Sequence, residues 1–411
     1  MLLTDEQKRM YEGEFGPGVQ KAMTMLVEYG NVFDAERMVR VNNAHTGLGP
    51  ADWLPGMLDG VDRIRANTTT HAGSAGAGRF SPAMGLNRDF CTQQAKAQEE
   101  TLALCVPKGF VPAMTCAPYM VGNVPTAGKV FSWPGSQGII VANSIFAARG
   151  NRDAMPASMA SAITGLTPDM LLLQKEHRYG QVLVKLEGLD VENFTKADYG
   201  AVGYYIGSAA GLKNVVVDGV PGDATFDELK FLMSPQPVSG AVTMCHVVGV
   251  TPEAPTVEEA LGNRKPEETF KIGRKEFNEA WQSLNTAKTD DVEVVFFGCP
   301  HLSIAEIGEI VRLLDGQKTA DSVRLFVSIA EQVYPLAQRM GFVDAIENAG
   351  GLVVTGICIQ GFPYAQLDSP ATRAATNSAR AASYQGRRGI DINYGSVRSC
   401  VNAAVTGKWG G

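Results

Sequence analysis

The sequence predicts an α/β protein of layered α/β/α subdomains with largely parallel sheets. In the last third, three apolar strand patterns, VEVVFFG (292–298), VRLFVSI (323–329) and GLVVTGI (351–357), are separated by helical patterns at 303–315 and 331–349. Two further strand patterns lie near the middle, QVLVKLEG (181–188) and NVVVDG (214–219). Strands that alternate with helices form parallel sheets, because the right-handed crossover carries each helix over the sheet.

The remaining segments predict a mixture of helices and loops. Helical patterns cover 5–40, 52–64, 88–106 and 153–164, and a capping box, Ser303 with Glu306, opens the helix after the first C-terminal strand. We expect loops at 42–50 and in the Gly- and Thr-rich NTTTHAGSAGAGRF (67–80), a strand within 238–250 and a linker at 252–268. We therefore expect an N-terminal and central α/β region with substrate loops (1–288) and a C-terminal parallel α/β subdomain (289–411).

Composition excludes several classes of protein. The chain has 411 residues, of which 45% are apolar and 19% charged, enough for a sizeable core. A net charge of −7 without a basic block argues against a nucleic-acid partner. There is no run of 18 apolar residues and the charged N-terminus does not resemble a signal peptide, so we expect no membrane partner and a cytoplasmic location.

Seven widely spaced cysteines without a CxxC motif argue against a disulfide framework. Cys299 directly follows one predicted parallel strand and Cys358 ends another, so both are expected at one edge of the sheet, where ligands bind. They are candidates for a shared metal site, with two buried structural thiols as the alternative. Cys116 lies in a Pro-bounded loop that suits a metal ligand but does not require one. The four others are expected in the core, at positions 91, 105, 245 and 400.

Polar residues in Gly-rich loops provide further candidates. His45 and His71 occur where a core role is harder to assign, which favours function for both. His301 follows Cys299 by two residues and fits either a satisfied core histidine or a group that orients a metal centre. Arg149 and Arg152 could hold substrate carboxylates or form a structural salt-bridge network, and both interpretations stay open.

A series of motifs runs through most of the chain in order: NNAHTGLG, NTTTHAG, MTCAPYMVGNVPTAGKVFSW, IIVANSIFAARGNRD, SAITGLTPD, VVFFGCPHLSIAEI, AGGLVVTGIC, ATNSARAASY and SVRSCVNAAV. Together they resemble the aconitase X family. Members dehydrate mevalonate 5-phosphate or cis-3-hydroxy-L-proline with an iron–sulfur cluster, and their fold is aconitase-like, with subdomains around a central cluster. The resemblance implies that Cys116, Cys299 and Cys358 are the cluster ligands and that Cys400 is not.

The resemblance also implies a set of substrate-binding positions: Gly47, Leu48, Gly49, His71, Ala72, Gly135, Ser136 and Arg380. Three of them depart from the family pattern. A carboxylate is replaced at Gly135, an amide by the imidazole of His71, and an ammonium by the guanidinium of Arg380, which grips anions bidentately. We therefore expect conserved chemistry on a changed substrate, neither mevalonate 5-phosphate nor cis-3-hydroxy-L-proline.

These features predict an iron–sulfur hydro-lyase that eliminates water from a small hydroxy carboxylic acid. The alternative is a non-catalytic iron-sensing or ligand-binding protein that keeps the fold. The resemblance to the family's large part extends to within a few residues of Gly411. The small swivelling domain is therefore expected as a separate partner subunit, which would supply the catalytic base. Within this chain, His45 is the candidate catalytic residue.

Overall fold

The computed structural model describes residues 1–47, 53–78 and 81–410. In these ranges the strands are β1 Met38–Arg40, β2 Asn43–Thr46, β3 Asn67–Thr70, β4 Phe131–Ser132, β5 Leu166–Pro168, β6 Val182–Leu186, β7 Val215–Asp218, β8 Cys245–Val247, β9 Glu268–Ile272, β10 Val294–Leu302, β11 Arg324–Ile329, β12 Leu352–Thr355, β13 Arg373–Thr376 and β14 Asp391–Tyr394. The helices are α1 Asp5–Tyr11, α2 Pro17–Val32, α3 Leu54–Leu58, α4 Arg88–Cys105, α5 Ser136–Ser144, α6 Met155–Thr164, α7 Lys196–Ala210, α8 Phe226–Met233, α9 Gln236–Ser239, α10 Val257–Ala260, α11 Arg274–Leu284, α12 Ile304–Leu314, α13 Tyr334–Arg339, α14 Phe342–Asn348, α15 Ala379–Gly386 and α16 Val397–Thr406.

The C-terminal sheet is fully parallel, in the order β12-β11-β10-β13-β14. The three apolar strands predicted there are confirmed, and so is the capping box, since the Ser303 hydroxyl accepts from the Glu306 backbone N–H. Two strands, β13 and β14, were not predicted, because each has only four residues and neither RAAT nor DINY is a continuous apolar run. The predicted helix 331–349 is divided into α13 and α14 at Gly341, whose φ is +72°.

The middle sheet is also parallel, in the order β8-β7-β6-β9. The strand expected within 238–250 is only three residues long and follows a short helix, α9. The segment 252–268, which was predicted to be a linker, instead packs against this sheet. Its Ala254, Ala260 and Leu261 are buried against Leu183 and Val216 of the sheet.

The N-terminal part contains the three-stranded parallel sheet β3-β2-β4 and the antiparallel pair β1-β5. The prediction of loops at 42–50 and 67–80 is wrong for the residues that form β2 and β3. Both strands are polar, but Thr68, Thr69 and Thr70 are β-branched and bury their side chains, which suits a strand. The helix predicted over 5–40 is broken before Pro17 by Gly16, whose φ is +98°.

The predicted helices at 88–106 and 153–164 are confirmed as α4 and α6, whereas the helix expected over 52–64 is reduced to α3. None of the helices among the described residues has the length and apolarity needed to cross a membrane.

The N-terminal and C-terminal sheets are joined directly at their carboxyl ends. Gly73, which follows β3, donates from its backbone to the carbonyl of Gly356, and Cys358 donates back to the Gly73 carbonyl, at 2.9 and 2.8 Å. A Cβ at Gly73 would lie 2.0 Å from Oε1 of Gln98 and 3.0 Å from Cε of Met114, so a larger residue there would displace these two side chains. The Gly-rich segment therefore positions the Cys358 loop.

Candidate active site

A cavity of about 290 Å³ opens where the strand ends of the N-terminal and C-terminal sheets meet. Its described lining consists of His71, Cys116, Pro134, Gly135, Ser136, Gln137, Arg152, Cys299, Pro300, Gln360, Arg380 and Tyr384. The lining includes two arginines, and no Asp or Glu is present among its described residues. The cavity is therefore suited to an anionic ligand.

Three cysteines belong to this region. Cys299 is buried within β10, Cys358 follows β12, and Cys116 lies in the loop before Pro118. The strand carrying Cys299 turns sharply at Gly298, whose φ is +117° and where a Cβ would come within 2.4 Å of the Ser328 carbonyl oxygen. Glycine is thus required immediately before this cysteine.

His301 connects the three cysteine-bearing segments. Its backbone N–H donates to Sγ of Cys116 at 3.4 Å, and its ring lies 2.9 Å from the Thr115 hydroxyl through Nδ1 and 2.9 Å from the Ile357 carbonyl through Nε2. Because a carbonyl only accepts, Nε2 carries the proton and the Thr115 hydroxyl donates to Nδ1. His301 is therefore a satisfied core histidine that also orients the segments around the cysteines.

The environment of the thiols accommodates a cationic metal centre. Burial raises the pKa of the Cys116 thiol to about 12, and the charges of Cys299 and Cys358 raise it further. Burial likewise raises the pKa of Cys299 to about 11, which Arg380 opposes and Cys358 reinforces. Thiols in this state become thiolates when a metal compensates their charge.

Within the part of the chain that the structure describes, no three His, Cys, Asp or Glu side chains are close enough to hold a single metal ion. In an iron–sulfur cluster each cysteine thiolate binds a different iron atom, so its ligands need not converge on one ion. The donor set fits an iron–sulfur cluster.

The two histidines singled out in the sequence contact each other. In the β2–β3 register, His45 lies beside Thr69, and its Nδ1 is 2.9 Å from the Thr69 hydroxyl. Its Nε2 is 3.0 Å from Nδ1 of His71. Burial, followed by the charge of His71, lowers the pKa of His45 well below its ordinary value. Burial, His301 and Arg380 lower the pKa of His71 to about 4, so both rings are neutral at neutral pH.

Arg380, in the first turn of α15, is largely occupied by the protein. Its Nη1 donates to the Ser234 carbonyl at 3.0 Å and its Nη2 to the Ser136 hydroxyl at 3.2 Å. Its Nε and Nη2 also reach the amide oxygen of Gln360 at 2.7 and 2.9 Å, in the amide orientation that satisfies both partners. The guanidinium is buried beside the Tyr384 ring, so few of its donors are free for a ligand.

The Arg152 side chain, by contrast, is exposed and has no hydrogen-bond or ion-pair partner among the described residues, although the backbone of Arg152 forms a β-bridge with Trp133. The salt-bridge alternative is thereby excluded for Arg152 within the described chain. The Arg149 side chain turns away and donates to the Leu173 carbonyl at 3.0 Å.

Sequence reasoning missed Gln137, whose buried Oε1 has no partner among the described residues although its Nε2 contacts the Tyr119 hydroxyl. The sequence signal for Gln137 was its position next to Ser136, an implied substrate-binding residue.

Of the substrate positions implied by the family resemblance, some line the cavity and others do not. Gly135 and Ser136 line the cavity, and a Cβ at Gly135 would lie 3.5 Å from Cε1 of His71. Gly47 and Ala72 are partly exposed and are not among the described lining residues. Leu48 and Gly49 lie outside the described residues. The substrate-binding roles of these positions remain predictions.

The other four cysteines are buried, as the sequence predicted. They lie at the start and end of α4, in β8 and in α16, as Cys91, Cys105, Cys245 and Cys400. Cys400 packs in a separate hydrophobic cluster with Val397 and Val401.

Comparison with known proteins identifies the class to which this fold and site belong. Profile models of the aconitase X family match residues 1–176 (first domain), 180–282 (second domain) and 292–406 (third domain). The chain belongs to the aconitase X family. It is an enzyme of the hydro-lyase class, an aconitase X-type dehydratase.

Among its relatives is the phosphomevalonate dehydratase large subunit of Methanothermobacter thermautotrophicus, 34% identical over 96% of both chains. Another is the cis-3-hydroxy-L-proline dehydratase of Pseudomonas aeruginosa, 29% identical over 96% of this chain and 68% of the relative. The holo-form crystal structure of Thermococcus kodakaraensis aconitase X superposes with a TM-score of 0.87 at 27% identity, covering 98% of this chain and all of that one.

Proposed function

We propose that this chain is the large subunit of an iron–sulfur dehydratase that acts on a small anionic hydroxy acid, with Cys116, Cys299 and Cys358 holding the cluster. The observation that carries the proposal is the convergence of three cysteine segments, joined through His301, on a cavity without described acidic residues. When bound, the cluster would supply a Lewis acid toward the substrate hydroxyl.

The chain's own residues would bind and orient the substrate. Arg152 is available to pair with a carboxylate or phosphate, since nothing in the described chain competes for it. The unpartnered Oε1 of Gln137 can accept from a substrate hydroxyl. Arg380, held by Ser136 and Gln360, would contribute positive charge more than direct contacts.

The lining argues against an amino-acid substrate, because the described residues offer no carboxylate to neutralise an ammonium group. We therefore propose that cis-3-hydroxy-L-proline is not the substrate. We propose that mevalonate 5-phosphate is not the substrate either, because the side chains at His71, Gly135 and Arg380 differ from the family pattern.

A small partner subunit completes the proposal. Five of the matched relatives, the Methanothermobacter protein among them, are named large subunits, and the hydroxyproline dehydratase is longer than the region matched here. Such a subunit would close the cavity and supply the base that removes the substrate proton. We place the assembly in the cytoplasm, consistent with seven free cysteines.

The test is anaerobic purification with the partner subunit, followed by a panel of 3-hydroxy acids that carry one or two anionic groups. Formation of the unsaturated product is followed by its ultraviolet absorbance. We expect turnover of at least one panel member, lost in Cys299→Ser. A preparation that contains the cluster and its partner but converts none of the panel would contradict the proposed substrate class.

A further inference from the structure

Three polar side chains of the N-terminal sheet form one hydrogen-bonded line that ends in the cavity. Thr69 and His71 are two positions apart and so face the same side of the chain, and the register places His45 beside Thr69. The line runs from Thr69 Oγ1 to His45 Nδ1 and from His45 Nε2 to His71 Nδ1. Nε2 of His71 has no hydrogen-bond partner among the described residues, and His71 lines the cavity.

The neighbouring asparagine side chains indicate which group donates and which accepts along this line. The Ala44 carbonyl can only accept, which fixes the orientation of the Asn123 amide, and Asn123 Oδ1 then accepts from Asn43 Nδ2 at 2.8 Å. Asn123 Nδ2 then donates to the Ala44 carbonyl and to the Thr69 hydroxyl, both at 2.7 Å. Because the Thr69 oxygen already accepts from Asn123, its own proton is free to be donated onward.

In the described structure, His45 Nδ1 is the remaining partner of the Thr69 hydroxyl. If His45 accepts there as a neutral ring, its proton lies on Nε2 and is donated to His71 Nδ1. The proton of His71 must then lie on Nε2, toward the cavity. In this arrangement each ring has one tautomer; the opposite arrangement, with His45 Nδ1–H donating to Thr69, would place the His71 proton on Nδ1.

We propose that His71 is a catalytic residue that acts as a neutral hydrogen-bond donor, through Nε2–H, to the substrate oxygen on which negative charge develops. Thr69, acting through His45, is the positioning residue that maintains this tautomer. The inference rests on the proposed dehydratase function and assigns His71 the role of an electrophile, whereas the base lies outside this pair.

The chemistry of dehydration gives such a donor a purpose. A base removes the proton at C2 of a 3-hydroxy acid, and charge builds on the adjacent carboxylate oxygen as the C–H bond breaks. The electron pair then forms the C2–C3 double bond, and the C3–O bond breaks as the hydroxyl takes up a proton, returned by the base or delivered from solvent, and leaves as water. A neutral N–H stabilises the developing charge without first being neutralised by the substrate. Burial keeps the ring in this neutral form.

The tautomer can be measured independently of activity. The chain contains only five histidines, so long-range proton–nitrogen spectra of the full-length protein with ¹⁵N-labelled histidine are simple, and His71→Gln assigns the signals of His71. We expect the Nε2–H pattern for His71, unchanged across the neutral pH range. We expect Thr69→Val to mix the tautomers and Thr69→Ser to preserve the pattern. An Nδ1–H pattern, or a protonated ring at neutral pH, in the wild type would overturn the inference.

Kinetics on the cluster-loaded enzyme with its partner then test the role. With any panel acid that is turned over, His71→Leu is expected to lower kcat about 100-fold, as loss of one oxyanion donor does, and Thr69→Val about 10-fold. Thr69→Ser should recover activity to within about twofold. Wild-type kcat in His71→Leu would contradict this inference and leave the dehydratase proposal intact. Absence of turnover in the wild type, with the predicted tautomer present, would contradict the proposed function instead.

Discussion

The backbone N–H of His301 donates to Sγ of Cys116 across 3.4 Å, although the two residues are 185 positions apart in the sequence. The ring of the same histidine contacts Thr115 and the carbonyl of Ile357, next to Cys358. One buried side chain thus connects the segments that carry all three candidate ligands. Their relative placement is a property of the folded protein and not of any local motif.

Substitution of His301 should therefore weaken both the fold and the metal centre. His301→Ala leaves the Ile357 carbonyl and the Thr115 hydroxyl buried without their partners, which costs about 2–5 kcal/mol in free energy of unfolding. Chemical denaturation and iron content measure the two effects. His177→Ala, at an exposed histidine, is the control and should change stability by less than about 0.5 kcal/mol. An unchanged iron content in His301→Ala would contradict the orienting role.

The three candidate ligands should be distinguishable from the structural cysteines by absorbance. Serine at Cys116, Cys299 or Cys358 should abolish the visible iron–sulfur band, because a hydroxyl is a poor substitute for a thiolate on iron. Cys400→Ala is the control, since Cys400, like Cys299, is buried but packs in another hydrophobic cluster. It should retain the band, whereas Cys400→Ser would add the separate cost of a buried hydroxyl. The assignment would be refuted if Cys400→Ala lost the band while the three serine variants kept it.

Arg152 is expected to determine substrate affinity without affecting stability. Arg152→Ala removes an exposed guanidinium that has no described protein partner, so KM should rise about 10–100-fold, the effect of losing one charge-assisted pair. The free energy of unfolding should stay within about 0.5 kcal/mol. Arg149→Ala provides the contrast, because that side chain donates to the Leu173 carbonyl and should affect stability more than KM. Equal KM values in wild type and Arg152→Ala would show that another group binds the anion.

Asp153 should make stability depend on pH. Burial raises the pKa of this carboxyl from 3.8 to about 7, with a hydrogen bond from Ser132 opposing the rise. The native state therefore holds the proton more tightly than the unfolded chain, and stability falls as the pH rises from about 4 to about 7. Asp153→Asn removes this dependence, with a gain above pH 7 of at most about 4 kcal/mol. Denaturation curves at several pH values measure the slope, and identical slopes in both proteins would contradict the prediction.

The separately purified chain is expected to show little or no dehydratase activity, because the proposed base and the closure of the cavity come from the partner subunit. Addition of the partner should restore turnover and protect the cluster from oxygen. The measurement is a titration of the chain with the partner, followed through product absorbance. Full activity of the 411-residue chain without a second polypeptide would place the base within it.

Local sequence patterns determined much of the scaffold. Alternating apolar strands and amphipathic helices predicted the parallel C-terminal sheet, and the Ser303 capping box predicted the start of α12, because these features depend on neighbours in the chain. The same reasoning failed for β2 and β3. Their threonines and His45 are polar, and they become strand residues only because partners elsewhere satisfy their side chains.

The candidate site was decided by tertiary structure. The sequence and its family resemblance singled out His71, Arg152 and Arg380, but could not show which of them the protein itself engages. In the fold, Arg380 is occupied by Ser234 and Gln360, the Arg152 side chain has no partner among the residues that the structure describes, and His71 is held by His45. These differences arise from contacts between segments far apart in the chain. No local pattern encodes them, because hydrogen-bond direction depends on which groups the completed fold brings within reach.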